Sequence, residues 1–353
     1  MPKRPPPQRG RGAPINPPNR FEPLRYSCDP EWNDLEDPVL ETQFFRDTSR
    51  SIITYNDSPD VGFDASINPY RGCEHGCIYC YARPTHEYLG FSAGLDFESR
   101  ILVKEEAPEL LRRELSSPRW KPQVLAISGV TDSYQPIERR LQLTRRCLQV
   151  LAECRNPVVI ITKNHLVTRD VDILNKLAQY EAARVFLSVT TLDGDLSRVM
   201  EPRASHPLRR LAAIEMLSQA GVPTGVLVAP VIPGLTDHEV PSIITAAVQA
   251  GARAAGYVTL RLPHGVGPLF EQWLTQHFPD RKDKVLHRIR AIRGGQLNDP
   301  RFSSRMRGEG IFAEQIAALF ALACRKASID GRGSALSTAA FRMPSNSQLP
   351  LFE

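Results

Sequence analysis

Short apolar runs recur through the middle of the chain, and each is followed by a stretch whose apolar positions fall at helical spacing. The runs are 124–128, 158–162, 184–190, 224–231 and 256–262. The helical stretches between them are 137–153, 171–180, 207–219 (which stops at Gly221) and 239–250. Near-continuous apolar strands alternating with amphipathic helices predict a parallel sheet covered by helices. A further strand near 63–67 makes six β/α units, two short of a closed eightfold barrel. The expected fold is therefore α/β, an open, TIM-like partial (β/α)6 barrel. In such a sheet reactive groups gather at the carboxyl ends of the strands. Beyond about 265 the pattern turns wholly helical, at 269–278, 282–292 and 311–323.

Composition divides what remains. Residues 1–24, rich in Pro, Gly and Arg, are expected to form a disordered basic tail. Residues 25–61 read as an N-terminal extension on a main domain at 62–265. Residues 266–327 read as a basic helical extension and 328–353 as a flexible tail. A 353-residue chain with 42% hydrophobic residues can bury a sizeable core. The longest apolar run, near 226–233, is too short to cross a bilayer and contains Pro230 and Pro233. No apolar signal core follows the basic N-terminus. Seven cysteines, three of them clustered, do not form a disulfide framework, so a reducing, cytoplasmic setting is expected.

Charge is unevenly spread. Residues 1–20 carry five basic and no acidic side chains, and residues 281–307 carry nine basic and two acidic ones. Against a total of +5, this leaves the rest of the chain at −7. Such an asymmetry fits either a polyanionic partner or a solvated basic helix face.

The candidate chemistry lies in Asn68-Pro-Tyr-Arg-Gly-Cys73-Glu-His-Gly-Cys77-Ile-Tyr-Cys80. Three soft thiolates at C-x3-C-x2-C on one loop can hold three irons of a [4Fe–4S] cluster, leaving the fourth iron open for chemistry. The alternative is a zinc site with His75 as the fourth ligand. With Tyr79 placed just before the last cysteine, the motif resembles that of the radical S-adenosylmethionine (SAM) superfamily, over roughly residues 60–265. The resemblance implies a [4Fe–4S] cluster held by Cys73, Cys77 and Cys80 and SAM on the open iron. It also implies an electron donor such as flavodoxin or ferredoxin, and reductive SAM cleavage to a radical that takes a hydrogen atom from substrate.

Candidate SAM contacts follow at the other strand ends. They are Ser128, Gly129, Thr131 and Asp132 after the second strand, and Lys163 for the carboxylate. Ser188 and Thr190 are candidates for the ribose, Arg203 for a second carboxylate clamp and Ile232 for packing on adenine. The strings Ser128-Gly-Val-Thr-Asp-Ser-Tyr-Gln-Pro, Thr190-Thr-Leu-Asp, Glu201-Pro-Arg and Ala229-Pro-Val-Ile-Pro-Gly-Leu-Thr-Asp are similar to the spore photoproduct lyase branch, and closest to its uncharacterised bacterial members. That lyase uses a thiol just after the second strand. Here the position reads Ser128-Gly-Val-Thr131, so repair of spore photoproduct itself is not expected. Tyr134 is the alternative hydrogen donor, while Cys147 and Cys154, seven apart on a helix, read as core.

The last residues, Gln348-Leu349-Pro350-Leu351-Phe352, resemble the peptide by which bacterial polymerases and repair proteins dock on the sliding clamp. Their other reading is a tail folded back on the protein's own core. The sequence thus predicts a radical SAM enzyme acting on nucleic acid, most naturally DNA. Its rivals are RNA or protein-side-chain chemistry and a non-enzymatic Fe–S nucleic-acid or clamp-binding protein.

Overall fold

A computed structural model describes residues 10–22, 41–329 and 333–344. Ten strands run in chain order as β1 Gln43–Arg46, β2 Ile53–Tyr55, β3 Ala65–Ile67, β4 Tyr70–Arg71, β5 Arg100–Val103, β6 Leu125–Ile127, β7 Val158–Thr162, β8 Ala183–Ser188, β9 Thr224–Val231 and β10 Ala254–Thr259. Seven of them form the main sheet in the order β10-β9-β8-β7-β6-β3-β2. Neighbours from β3 to β10 pair in parallel, and β2 is added antiparallel at the β3 edge. The six expected β/α units are therefore present as an open sheet.

The helices are α1 Leu95–Ser99, α2 Ala107–Leu115, α3 Glu138–Leu141, α4 Leu143–Cys154, α5 Val171–Ala178, α6 Gly194–Met200, α7 Pro207–Gln219, α8 Val240–Gln249, α9 Val266–His277, α10 Pro279–Ala291, α11 Ser304–Arg307 and α12 Ile311–Lys326. Their apolar faces close one large core, in which Cys147, Leu148, Leu151 and Cys154 of α4 are fully buried. A second core of Leu235, Leu260, Leu262, Leu269, Phe270, Trp273 and Ile289 lies against the cysteine loop. Among the described residues no helix is long and apolar enough to cross a membrane.

Several expectations are corrected. The helix expected over 137–153 breaks at Gln142, whose φ is +53°, and the Glu138 carboxylate then accepts from Thr144 N at 3.0 Å and caps the new start. A second sheet, β1-β5-β4, was not foreseen. Its strands are two to four residues long and β1 is exposed throughout, so no periodicity marks them. The main domain also borrows β2 from the expected N-terminal extension.

Residues 10–22, expected as disordered tail, are instead laid across the cysteine loop. The buried Glu98 carboxylate accepts from Gly12 N at 2.9 Å and Ala13 N at 2.8 Å, and Asn16 and Asn19 bond Asp96 and the 87–91 backbone. Pre-set proline geometry and a buried anion awaiting donors make this strap. Likewise Arg342 N donates to Cys154 O at 2.9 Å and Ser337 N to Glu181 O at 3.0 Å, so part of the expected loose tail is packed. The clamp-like peptide, Gln348 to Phe352, and Cys28 lie outside the described residues.

Candidate active site

The cysteine loop follows β3 by way of the two-residue β4 and lies at the carboxyl end of the parallel strands. Cys73 N donates to Phe97 O at 2.8 Å, Ile78 N to Met200 O at 3.1 Å and Cys80 N to Cys77 O at 3.1 Å. Arg83, wholly buried and paired with Glu98, donates to Cys77 O at 3.0 Å and Gly76 O at 3.1 Å. Cys73 and Cys77 are buried and Cys80 partly so. Burial pushes all three thiols up, with the charge of Asp132 adding at Cys73 and that of Glu201 at Cys77. A cationic group that replaces their protons relieves this cost. The donor set is thus three thiols on one rigid loop, which fits a [4Fe–4S] cluster. The zinc alternative fails on His75. That ring is buried, with Nδ1 3.3 Å from Asp132 Oδ2 and Nε2 3.1 Å from Asn164 Nδ2, so neither nitrogen is available.

Beneath Tyr79 lies a buried polar network that holds three of the predicted SAM contacts, Lys163, Ser188 and Thr190. The Glu201 carboxylate accepts from Tyr79 and Arg210, and from Thr190 Oγ1 at 2.8 Å. Lys163 Nζ is 3.8 Å from Glu201 and donates to Ser188 Oγ at 2.8 Å and Ala229 O at 2.9 Å. Burial alone would raise the Glu201 carboxyl, but Arg210 first, then Lys163 and the hydrogen bonds, hold it at about 2. The network ties the ends of β7, β8 and β9 to the cysteine loop. Lys163, Ser188 and Thr190 therefore do converge at the strand ends. Neither Glu201 nor Arg210, which join them, is among the candidate contacts of the sequence, because they pair across nine positions only through the fold.

The residues after β6 separate into two kinds. Ser128 and Gly129 have φ of +120° and +104°, and a Cβ added at Gly129 would meet nothing within 4 Å, so this turn faces open space, its Gly129 carbonyl accepting from Tyr81. Thr131 and Asp132 are structural. Thr131 is buried, accepting from Asn68 and donating to Tyr70 O at 3.1 Å. Asp132 accepts from Thr162 Oγ1 at 2.7 Å, Lys163 N at 2.8 Å and Tyr134 N at 2.9 Å, so its oxygens are spent on joining β6 to β7. Burial raises its carboxyl, and His75 with these donors outweighs that, holding it at about 2.

Three other candidates lie outside this polar network. Arg203 pairs with Glu74 Oε1 at 3.3 Å and donates to Thr42 Oγ1 at 3.3 Å. Ile232 is fully buried in the second core with Cys77 and Tyr79. Tyr134, the expected hydrogen donor, is 0% exposed, and its hydroxyl donates to Asp170 Oδ2 at 3.1 Å within the main core. A buried hydroxyl with a carboxylate partner cannot reach a substrate. Tyr81, directly after Cys80, does face the opening: it is 47% exposed, donates to Gly129 O and carries Arg261 over its ring at 4.7 Å.

Comparison with known proteins agrees with this geometry. The family model for the radical SAM superfamily matches residues 67–247. An uncharacterized protein of Mycobacterium tuberculosis is 34% identical over 262 residues, which are 73% of this chain and 74% of that one. An uncharacterized protein of Methanocaldococcus jannaschii is 32% identical over 173 residues, 49% of this chain and 62% of that one. Among solved structures, a tyrosine-to-phenylalanine variant of spore photoproduct lyase superposes with a TM-score of 0.55 at 14% identity, covering 83% of this chain and 82% of that one. Another variant, with bound AdoMet and dinucleoside spore photoproduct, gives 0.50 at 16% identity and 66% of each chain, just under two thirds of its length. The sheet, the cysteine loop at its carboxyl end and the family match lead to one conclusion: this chain belongs to the radical SAM superfamily and is an enzyme that uses a [4Fe–4S] cluster and SAM.

Proposed function

We propose that the enzyme abstracts hydrogen from a nucleic acid, with DNA as the substrate class. When bound, the cluster and SAM supply reductive cleavage and hydrogen abstraction. Cys73, Cys77 and Cys80 would hold the cluster, and Lys163, Ser188, Thr190 and the Ser128-Gly129 turn would contact SAM. The protein's own part is to hold these groups rigid and to exclude water, as the Glu201–Arg210 pair and the strap at 10–22 do.

The observation that carries the DNA reading is the outer face of α10. Much of the positive charge in 281–307 is already spent: Arg288 pairs with Asp237, Arg301 with Asp299, Arg305 with Asp60 and Lys282 with Glu271, and Arg293 is buried. Arg281, Lys284 and Arg290 are exposed and have no ion pair among the described residues. Three cations without an ion pair among the described residues, on a helix whose apolar face joins the same core as the cysteine loop, suit a phosphate backbone. A fold shared with spore photoproduct lyase supports the same reading, while the missing thiol at 128–131 argues for a different lesion or base. The clamp-like Gln348 to Phe352 peptide would bring such an enzyme to replicating DNA. Anaerobic turnover with deuterated oligodeoxynucleotides tests the proposal. Deuterium in 5′-deoxyadenosine supports it, and SAM cleavage with no transfer from any DNA defeats it.

A further inference from the structure

Arg261, just past the end of β10, is an unusual cation. Its guanidinium lies 4.7 Å over the Tyr81 ring, beside the third cysteine, and makes no hydrogen bond or ion pair among the described residues. The neighbouring carboxylate is already committed: Asp60 Oδ2 pairs with Arg305 Nε at 2.5 Å and Asp60 Oδ1 accepts from Ser303 N at 2.6 Å. Burial first, and then the charge of Arg305, lower the Arg261 pKa, against the smaller upward pull of Tyr81 and Asp60. A half-buried guanidinium whose nearest carboxylate, Asp60, is already paired with Arg305 is costly unless a further anion joins it.

Arg305 links this cation to an aromatic surface. Phe302 is 52% exposed, with Arg305 stacked on its ring at 4.4 Å. The turn that presents it is held rigidly: Ser303 is in the left-handed region at φ +67°, and buried Arg293 donates to Ser304 O at 2.9 Å and Leu260 O at 2.7 Å. A planar ring and a guanidinium with no hydrogen bond among the described residues match the two parts of a nucleotide.

We propose that Arg261 and Phe302 form a nucleotide site at the barrel mouth, Arg261 taking a backbone phosphate and Phe302 stacking on an unpaired base of single-stranded DNA. This rests on the DNA reading given above. Duplex would satisfy the cation but not the ring, since its bases are already stacked.

The test uses the full-length chain, its cluster reconstituted anaerobically. A fluorescein-labelled oligothymidine of about 12 nucleotides, a length within known site sizes, is titrated by anisotropy at several salt concentrations. Phe302→Ala should weaken binding at least about fivefold while leaving duplex affinity unchanged. Arg261→Ala should reduce the magnitude of the log–log salt slope by about 0.7, the value for one single-strand phosphate, and Arg261→Lys should restore the slope. Truncating an exposed ring leaves the melting temperature in place, so the Phe302 result stands even where an Arg261 variant melts lower. Wild-type protein that binds neither DNA form removes the DNA reading itself. Wild-type binding to which both variants are indifferent overturns this site and leaves that reading intact. Tighter capture of oligouridine than of oligothymidine overturns the assignment to DNA.

Discussion

Replacing Glu201 by Gln should destabilise the protein and erase part of its acid sensitivity. In the structure this carboxylate is 2% exposed and carries the only charge that Arg210, itself fully buried, is paired with among the described residues. Gln keeps the shape and an acceptor for Tyr79 and Thr190, but leaves the guanidinium uncompensated. Breaking a buried pair in this way costs about 3–5 kcal/mol. With an unfolding entropy of about 2.1 cal/mol/K per residue, a chain of 353 residues gives about 0.7 kcal/mol/K. The expected fall in melting temperature is then about 4–7 °C. The pH dependence has a definite sign. The folded carboxyl is held at about 2, below its usual 4.5, so its contribution is fully present above 4.5 and is lost as pH falls towards 2. That contribution is on the order of 3 kcal/mol. Thermal unfolding of cluster-free wild type and Glu201→Gln, followed by circular dichroism between pH 2 and 7, is the assay. Wild type should lose stability more steeply than the variant below pH 4.5. Equal melting temperatures at pH 7, or parallel curves in acid, would refute the argument that this pair holds the strand ends together.

Ala at Cys73, Cys77 or Cys80 should abolish the visible absorbance of the reconstituted cluster and SAM cleavage, whereas Cys147→Ala should leave both; a cluster that survives Cys77→Ala sinks the ligand assignment. Reversing Arg281, Lys284 and Arg290 to Glu should flatten the salt dependence of DNA binding by about 0.9 per lost phosphate contact on duplex, with the melting temperature unchanged. Arg293→Glu should behave differently, lowering the melting temperature, because its guanidinium is buried on the Thr259 and Leu260 carbonyls at the end of β10. Gly12→Ala should lift the N-terminal strap, since the added Cβ would lie 1.8 Å from Gly76 O. The readout is faster bleaching of the cluster in air, and an unchanged bleaching rate would mean that the strap does not shield it.

Local order alone settled the parallel strands and the cysteine loop. Runs such as 158–162 are apolar because strands buried on both faces must be, and three cysteines at C-x3-C-x2-C need only a loop to act together. Lys163, Ser188 and Thr190 were also legible, since a polar residue ending an apolar strand is marked by position. What the sequence could not supply were pairings between distant positions. His75 reads as a ligand until Asp132 and Asn164 are seen to occupy both of its nitrogens. Tyr134 reads as a loop residue until the fold buries it against Asp170. The nine basic residues of 281–307 read as one charged segment until tertiary partners neutralise several of them and leave α10 with three exposed cations. The N-terminal strap followed the composition of disorder, yet Glu98 binds it, because a buried carboxylate recruits backbone donors from whichever segment can reach it. Periodicity encodes which face of an element is buried, and only the packed chain decides which charge meets which.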